Sequence, residues 1–592
     1  MSSELFSRRR LASITAACLI SVALPAGAMA QKVKTRSEPA APAISYSVSI
    51  PTVDAVDSSL DEAVLAEILS GKLIENAESL ATLDAASISV PEITIDLTSE
   101  IDGEVNTATL TFTDLVLENV VDGVAASVSL GGSDLTSDEG KGTFGVMSAA
   151  NFDIGGVLGI YGLVQTSGTE LKTIYTDFTV EGGSFEADDM ACHIGAASAA
   201  EFKGRPLKTN FMEMMAFAQA LEDNPDDPDP ATVGKIIRMY ADIFTAFETS
   251  DMVFEGFDCE GTDSDGQAMS FAIAGMTMGG MKPGFYPTIS MDGLDVTVED
   301  DGFMRLENFT LKQMDLAATI ATLENAPELV DESWLEANAR LLIPAFEGFS
   351  FSGFTMDIPD PDAEDARIKV DIGAFDLTLA NYINGIPGDV DTSASNIRVA
   401  LPADSDDEQI QQLVALGITE IDAGFRFAAA WDAATDAIVV EEASLTGADL
   451  ASVFIAGTVA NATEALFSLD ENEALAAAMD VAVKSLDLTV NDAGLSDIIL
   501  SVAAAEQGAD PATLRPVFAG LAEGTVIGMM AGAADAAKLG SAVNSFVSGA
   551  AKSLNIVIEA KDDPGLGMMD FMAAEDDPAS LIGKVNISAT AK

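Results

Sequence analysis

The sequence predicts an α+β chain: repeated antiparallel β-hairpins forming an extended sheet, helices set between them, and a more helical C-terminal part. Three observations carry that prediction. The spacing of apolar residues changes from helical to alternating just past Leu83. A strand, an acidic turn and a returning strand recur along the chain. Helical stretches precede two of the recurrences.

Taken in order, residues 1–30 read as a cleavable export signal. Arg8, Arg9 and Arg10 precede an apolar run from Leu11 to Leu24, then Pro25 and the small-residue site Ala28-Met29-Ala30. Cleavage is expected between Ala30 and Gln31, and the expected location is periplasmic or secreted. The apolar run is shorter than the roughly 20 residues of a spanning helix, so no stable transmembrane anchor is expected. Ser7-Arg8-Arg9-Arg10-Leu11 also looks like a twin-arginine signal, but plain arginine-rich starts are commoner, which favours the general secretory route.

Residues 31–58 are expected to be a flexible leader. Leu60, Val64, Ile68, Leu69 and Leu73 then fall at helical spacing over about 59–83. Ile93–Leu97 and Thr107–Phe112 alternate as half-buried strands do. The repeat follows: Phe254-Glu255-Gly256-Phe257 is matched by Phe346-Glu347-Gly348-Phe349, with an earlier copy at Val180-Glu181-Gly182-Gly183 and a later one at Val440-Glu441-Glu442. Helices are expected over about Thr232–Phe247 and Ala317–Leu342. The hairpin repeat region is placed at 59–405 and a mixed strand and helix region at 406–592. Pro511–Leu554 reads as mostly helical, with Gly520, Gly524, Gly528 and Gly532 on one face. Tight packing inside a helical hairpin is the expected use of that stripe.

Composition narrows the function. The 592 residues carry 29 Lys and Arg against 95 Asp and Glu, a formal net charge of −66. Such a field repels phosphate backbones, so nucleic-acid binding is excluded. A hydrophobic fraction of 48% excludes a disordered chain.

Conventional catalytic groups are few. His193 is the sole histidine, and alternation on its strand makes it a surface residue beside an inward Cys192. Once the signal is removed, Cys192 and Cys259 are the only cysteines, a disulfide candidate in an oxidising compartment. Together with His193 they form an incomplete, badly spaced zinc set. Gly261–Gly266 resembles part of a calcium loop but lacks the closing Glu, Ala272 standing there. Asp223–Pro230 reads as a stiff acidic linker. No phosphate loop, dinucleotide fingerprint or nucleophile elbow is present, and no cofactor is expected.

Leu416–Phe425, Trp431-Asp432, Val439–Leu445 and Ile455-Ala456-Gly457 give the chain a resemblance to AsmA-like and YdgA-like bacterial envelope proteins. That resemblance implies a long β-rich periplasmic structure tied to envelope integrity or lipid handling, and it transfers no functional residue. AsmA-like proteins keep an N-terminal anchor, where this chain shows a cleavage site. The expectation is therefore a non-catalytic envelope protein with an apolar sheet surface for lipid or envelope partners. The alternatives are an acidic structural or adhesive module that takes up divalent cations, and a hydrolase.

Overall fold

The structure, a computed structural model, describes residues 43–592 except 102–103, 139, 165–167, 188, 211–212, 215, 218–228, 264–265, 300, 361–366, 403–407, 531–532, 534 and 577–578. The export signal with Ala28, Ala30 and Gln31 lies outside the described residues, as do residues 223–228 of the acidic linker. The chain is strand-rich, with 13 α-helices among the described residues, and 28 of its strands join one antiparallel sheet.

That sheet is a series of rungs, each antiparallel to the next. β1 (Ala43–Ser49) and β2 (Asp54–Val56) form one edge on β3 (Ala85–Ile101), which pairs with β4 (Glu104–Val121). The following rungs are broken into short strands in line. They are β5 (Val124–Leu130) with β6 (Gly132–Ser137), and β7 (Gly140–Phe144) with β8 (Met147–Asp153). Next come β9 (Lys172–Val180) with β10 (Gly183–Ala187), and β11 (Met190–Ile194) with β12 (Ala197–Gly204). The triplet β13 (Phe247–Thr249), β14 (Met252–Phe254) and β15 (Phe257–Thr262) makes the next rung.

Longer strands then continue the series. β16 (Ala268–Met278) leads past β17 (Phe285–Tyr286) to β18 (Ile289–Val298) and β19 (Gly302–Leu311). Past β20 (Met314–Asp315) and β21 (Ala345–Phe346), which pair with β17 as a small separate sheet, come β22 (Gly348–Pro359), β23 (Arg367–Ile383) and β24 (Ile386–Ala400). β25 (Glu420–Asp432), β26 (Ala437–Gly447), β27 (Ala451–Ala460) and β28 (Ala482–Asp492) follow. β29 (Ser553–Ala560) and the short β30 (Leu566–Gly567) lie in line on β28, and β31 (Val585–Ala591) pairs with β29. β24–β25 pairing carries the sheet across the expected 405/406 boundary.

Because neighbouring rungs are antiparallel, their connections alternate between two long margins. One margin gathers α1 (Glu62–Glu67), α2 (Ala77–Leu80), α3 (Ile154–Ile160), α4 (Pro230–Ile243), α5 (Ala317–Glu324) and α6 (Glu332–Leu342). The other carries turns bearing Asp138, Asp189, Asp263, Glu299 and Asp360, then α7 (Glu408–Ala415). α8 (Glu471–Asp480) returns to the helical margin. α9 (Leu495–Gln507), α10 (Pro511–Met529) and α11 (Ala536–Val547) lie between β28 and β29 on the turn margin. α12 (Met568–Asp576) and α13 (Ala579–Ile582) precede β31 on the helical side.

Several expectations change in detail. The leader expected over 31–58 holds β1 and β2 in its described part, because residues from Tyr46 to Val48 already alternate and the edge of β3 needs a partner. The helix expected over 59–83 is broken, since Gly71 takes φ +117°, which a helix cannot continue. Ala317–Leu342 divides into α5 and α6 around Pro327, and Asp331 restarts the helix by accepting the Trp334 N–H.

A line of backbone irregularities crosses the sheet at one level. Its members include Asp114 (φ +52°), the breaks at Gly145-Val146, Glu181-Gly182, Gly195-Ala196 and Glu255-Gly256, Gly293 (φ +64°), Gly353 (φ +63°) and Asn396 (φ +52°). Each rung from β4 to β24 carries an extra residue there, so neighbours stay in register while the strands bend together. The register also separates the two matched sequences. Phe254 shares a cross-strand row with Phe351, five residues past Phe346.

Candidate functional site

Alternation along each strand sends every second side chain to one face. On one face, pairing links Val90 to Leu115, and then a single row runs Leu130–Met147–Val180–Ala197–Phe254–Met276–Met291–Phe309–Phe351. It continues Phe375–Ala394–Phe425–Leu445–Val453–Val490–Leu554–Ala591, reaching the far edge without a polar side chain. Two residues along lies a second row, which contains Ile88, Leu117, Met278, Ile289, Leu311, Phe349, Leu377, Phe427, Ile455 and Leu488, with Thr392 its one hydroxyl between Phe349 and Ala589. At ~4.8 Å between strands, the stripe from β3 to β31 measures roughly 90 Å across the rungs.

The line of extra residues widens this face instead of ending it. Beyond it, Phe354 still stands 6.4 Å, ring to ring, from Phe351. Ile95 and Phe112 pack in one cluster with Val90 and Leu115. Phe rings also stack along the rows, Phe349 on Phe375 at 5.2 Å and Phe351 on Phe375 at 5.2 Å. The opposite face is hydroxylic. Ser148 meets Thr179 at 2.8 Å, Ser290 meets Thr310 at 3.2 Å, and Thr310 lies opposite Ser350.

Cover is uneven. Over the first rungs α1–α3 close the face, burying Ile88, Val90, Val120 and Ala125 against Leu65, Ile68, Leu80 and Leu158. From β14 to β23 the apolar residues of both rows are half-buried. At β25–β27 they open: Phe427 is 40% exposed, Leu445 62% and Ile455 37%. A soluble surface rarely leaves so long a contiguous apolar band without a ligand or partner.

The remaining sequence candidates lie apart from this band or within it. Cys192 and Cys259 face each other on β11 and β15 and their sulfurs are bonded, in an apolar row between Phe185 and Phe271. Replacing both by alanine is expected to lower stability by about 4 kcal/mol on the chain-entropy argument, read as a lower melting temperature. His193 points to the other face, 3.7 Å from the Asp258 carboxylate, and both are about two-thirds exposed. Register brings Ser184, His193 and Asp258 into one row, a juxtaposition the sequence reading missed. Ser184 instead shares a hydrogen bond with Thr143, and the amides of these paired strands are committed to the ladder rather than to an oxyanion. Asp263 folds its own turn by accepting the Gln267 N–H, and no group of three metal-ligating side chains occurs among the described residues.

The glycine stripe departs from expectation. Gly520, Gly524 and Gly528 have open space where a side chain would stand, and Gly532 lies outside the described residues. α10 packs on α11 through another face, with Glu523 and Ile527 against Gly540. Each of these three glycines changed to alanine is expected to raise stability by up to ~1 kcal/mol, measurable by denaturant unfolding.

Asp492, at the end of β28, anchors this helical insertion. Burial alone would raise its carboxyl. Hydrogen bonds from Lys552, the Ser496 hydroxyl and the Ser496 and Gly494 N–H groups outweigh that and hold it far below the usual range. A depressed folded-state value stabilises the fold above the unfolded-state pKa of ~3.9 and loses that contribution as pH falls toward the folded value. Asp492→Asn is therefore expected to flatten the acid limb of a melting-temperature profile below about pH 4.

A family model described as an uncharacterized protein matches residues 444–592. No curated protein and no solved structure matches the chain. Among the described residues no helix is long and apolar enough to cross a membrane.

Proposed function

We propose that this is an exported, non-catalytic cell-envelope protein that carries lipid acyl chains on the apolar face of its sheet. The observation that supports this most is the row from Leu130 to Ala591, in which no side chain offers a hydrogen bond. An acyl chain asks for nothing else: each buried methylene contributes ~0.8 kcal/mol wherever it lies along the stripe. A folded protein partner would need polar groups to fix its orientation, and the two central rows offer only the Thr392 hydroxyl. The export signal at 1–30 and the Cys192–Cys259 pair fit an oxidising compartment outside the cytoplasm. Antiparallel rungs added in series lengthen such a surface one by one.

Native mass spectrometry of protein purified from membranes tests this. Lipid-sized adducts are expected on the wild type, and Phe351→Asp with Phe375→Asp is expected to remove most of them. A wild-type chain that carries no lipid from its source membranes or from added vesicles sinks the reading.

A second reading, an acidic module that takes up divalent cations, is favoured by one topological fact. Asp138, Asp189, Asp263, Glu299 and Asp360 all lie in turns on the same margin. It requires calcium to raise the melting temperature, and a melt indifferent to calcium and EDTA removes it.

A further inference from the structure

The uncovered part of the stripe and an uncharged helix face point to where lipid enters. Phe427, Leu445 and Ile455 lie on three successive rungs of the two apolar rows and are the residues of those rows left most open. The first rungs, by contrast, are sealed under α1–α3. Loading from the β3–β5 end would require unpacking a buried core. Loading at β25–β27 requires no such step.

The α9–α11 insertion starts beside the same rungs, since the N–H groups of Ala493 and Leu495 donate to the Leu450 carbonyl in the β26–β27 turn. α10 turns outward a face of Val517, Gly520, Leu521, Gly524, Gly528 and Met529, with Thr525 its one hydroxyl, and Val517 is 64%, Leu521 64% and Met529 65% exposed. Its two charged residues are engaged elsewhere: Arg515 pairs with Asp497, and Glu523 accepts from Asn544. A chain of net charge −66 thus presents one uncharged, largely apolar helix face on an insertion that begins at the β26–β27 turn. A second copy would bring another −66 to that contact, and an anionic membrane would be repelled. A bilayer of zwitterionic headgroups meets neither obstacle.

We propose that lipid enters from a zwitterionic bilayer at β25–β27, with the outward face of α10 resting on that bilayer. The proposal rests on the lipid-carrying reading above. The test uses phosphatidylcholine vesicles containing a trace of fluorescent phosphatidylcholine, and reads vesicle flotation and lipid uptake separately. The wild type is expected to float and to load. Leu521→Asp is expected to weaken flotation by roughly tenfold or more, the equivalent of losing one buried leucine. Leu445→Asp is expected to float normally but to load roughly tenfold more slowly on the same arithmetic, while Leu445→Met loads normally.

Uptake by Leu445→Asp at the wild-type rate overturns the entry point. Unchanged flotation of Leu521→Asp overturns the contact through α10. If the wild type is a dimer that never floats, and Leu521→Asp makes it a monomer, the face belongs to a second copy and the proposal falls. A wild type that floats but takes up no lipid defeats the lipid-carrying reading itself and leaves the bilayer contact standing.

Discussion

Asp242→Ala is expected to destabilise the protein by about 3–5 kcal/mol, the range found when one partner of a buried ion pair is removed. Asp242 lies on α4 with its side chain 2% exposed, and its Oδ1 stands 2.8 Å from Nη2 of Arg205, which is 10% exposed. Its Oδ2 accepts the Lys208 N–H at 2.7 Å. Arg205 also donates to the Asp242 carbonyl at 3.2 Å and to the Thr245 hydroxyl at 2.8 Å, so the guanidinium is fixed between the end of β12 and α4. Without the carboxylate that cation stays buried with neutral partners only. Asp242→Asn keeps an acceptor for Lys208 but not the charge, and should fall between wild type and Asp242→Ala. Arg205→Met with Asp242→Leu removes both charges and should recover much of the loss. Thermal melting orders the variants, and hydrogen exchange of the α4 amides should show the earliest opening there. An Asp242→Ala protein that melts like the wild type would show that the pair contributes nothing.

How far this was legible in the sequence depends on what set each feature. Periods of two and 3.6 are local, and they place β3, β4 and α4 close to where the structure has them. The division of Ala317–Leu342 was written in Pro327, but an apolar pattern on both sides of it masked the break. The apolar stripe could not be read in the same way. Each strand shows only its own alternation, and the row Phe309–Phe351–Phe375 exists only once the register sets those residues opposite each other. The line of extra residues hid it further, since a spacing of three between Phe351 and Phe354 looks like a lapse in strand period. Positive φ at Asp114 and Asn396 leaves a weak sequence signal, because Asp and Asn are the side chains that tolerate it best. The same line explains why the match of Phe254-Glu255-Gly256-Phe257 with Phe346-Glu347-Gly348-Phe349 misleads. Both glycines answer a demand for positive φ, Gly256 at +83° and Gly348 at +117°, but at different levels of the sheet.

That demand makes Gly256→Val the second large effect expected. A Cβ on Gly256 would stand 2.0 Å from the Ile273 carbonyl oxygen and 2.6 Å from the Ala274 carbonyl carbon, both backbone atoms that cannot rotate aside. The residue also sits at φ +83°, which costs a β-branched side chain of order 1–3 kcal/mol before any clash. Relief requires β15 to move from β16, but β15 is also held on its other side, where Gly195 N–H donates to the Gly256 carbonyl at 2.7 Å and Glu255 N–H to the Ala196 carbonyl at 2.8 Å. The displacement therefore passes to β11–β12, whose Gly195 already stands close to the Glu255 backbone. Because the rungs from β4 to β24 share the irregularity with their neighbours, one of these strands cannot lose its extra residue's geometry alone. Loss of several kcal/mol is expected, with faster exchange of the Gly195 and Glu255 amides, whereas Gly520→Val on the open face of α10 should cost nothing, valine being the better helix former of the two. If Gly256→Val left both amides as protected as in the wild type, the line of extra residues would not be the coupled element that keeps Phe257 and Phe254 on the same apolar face.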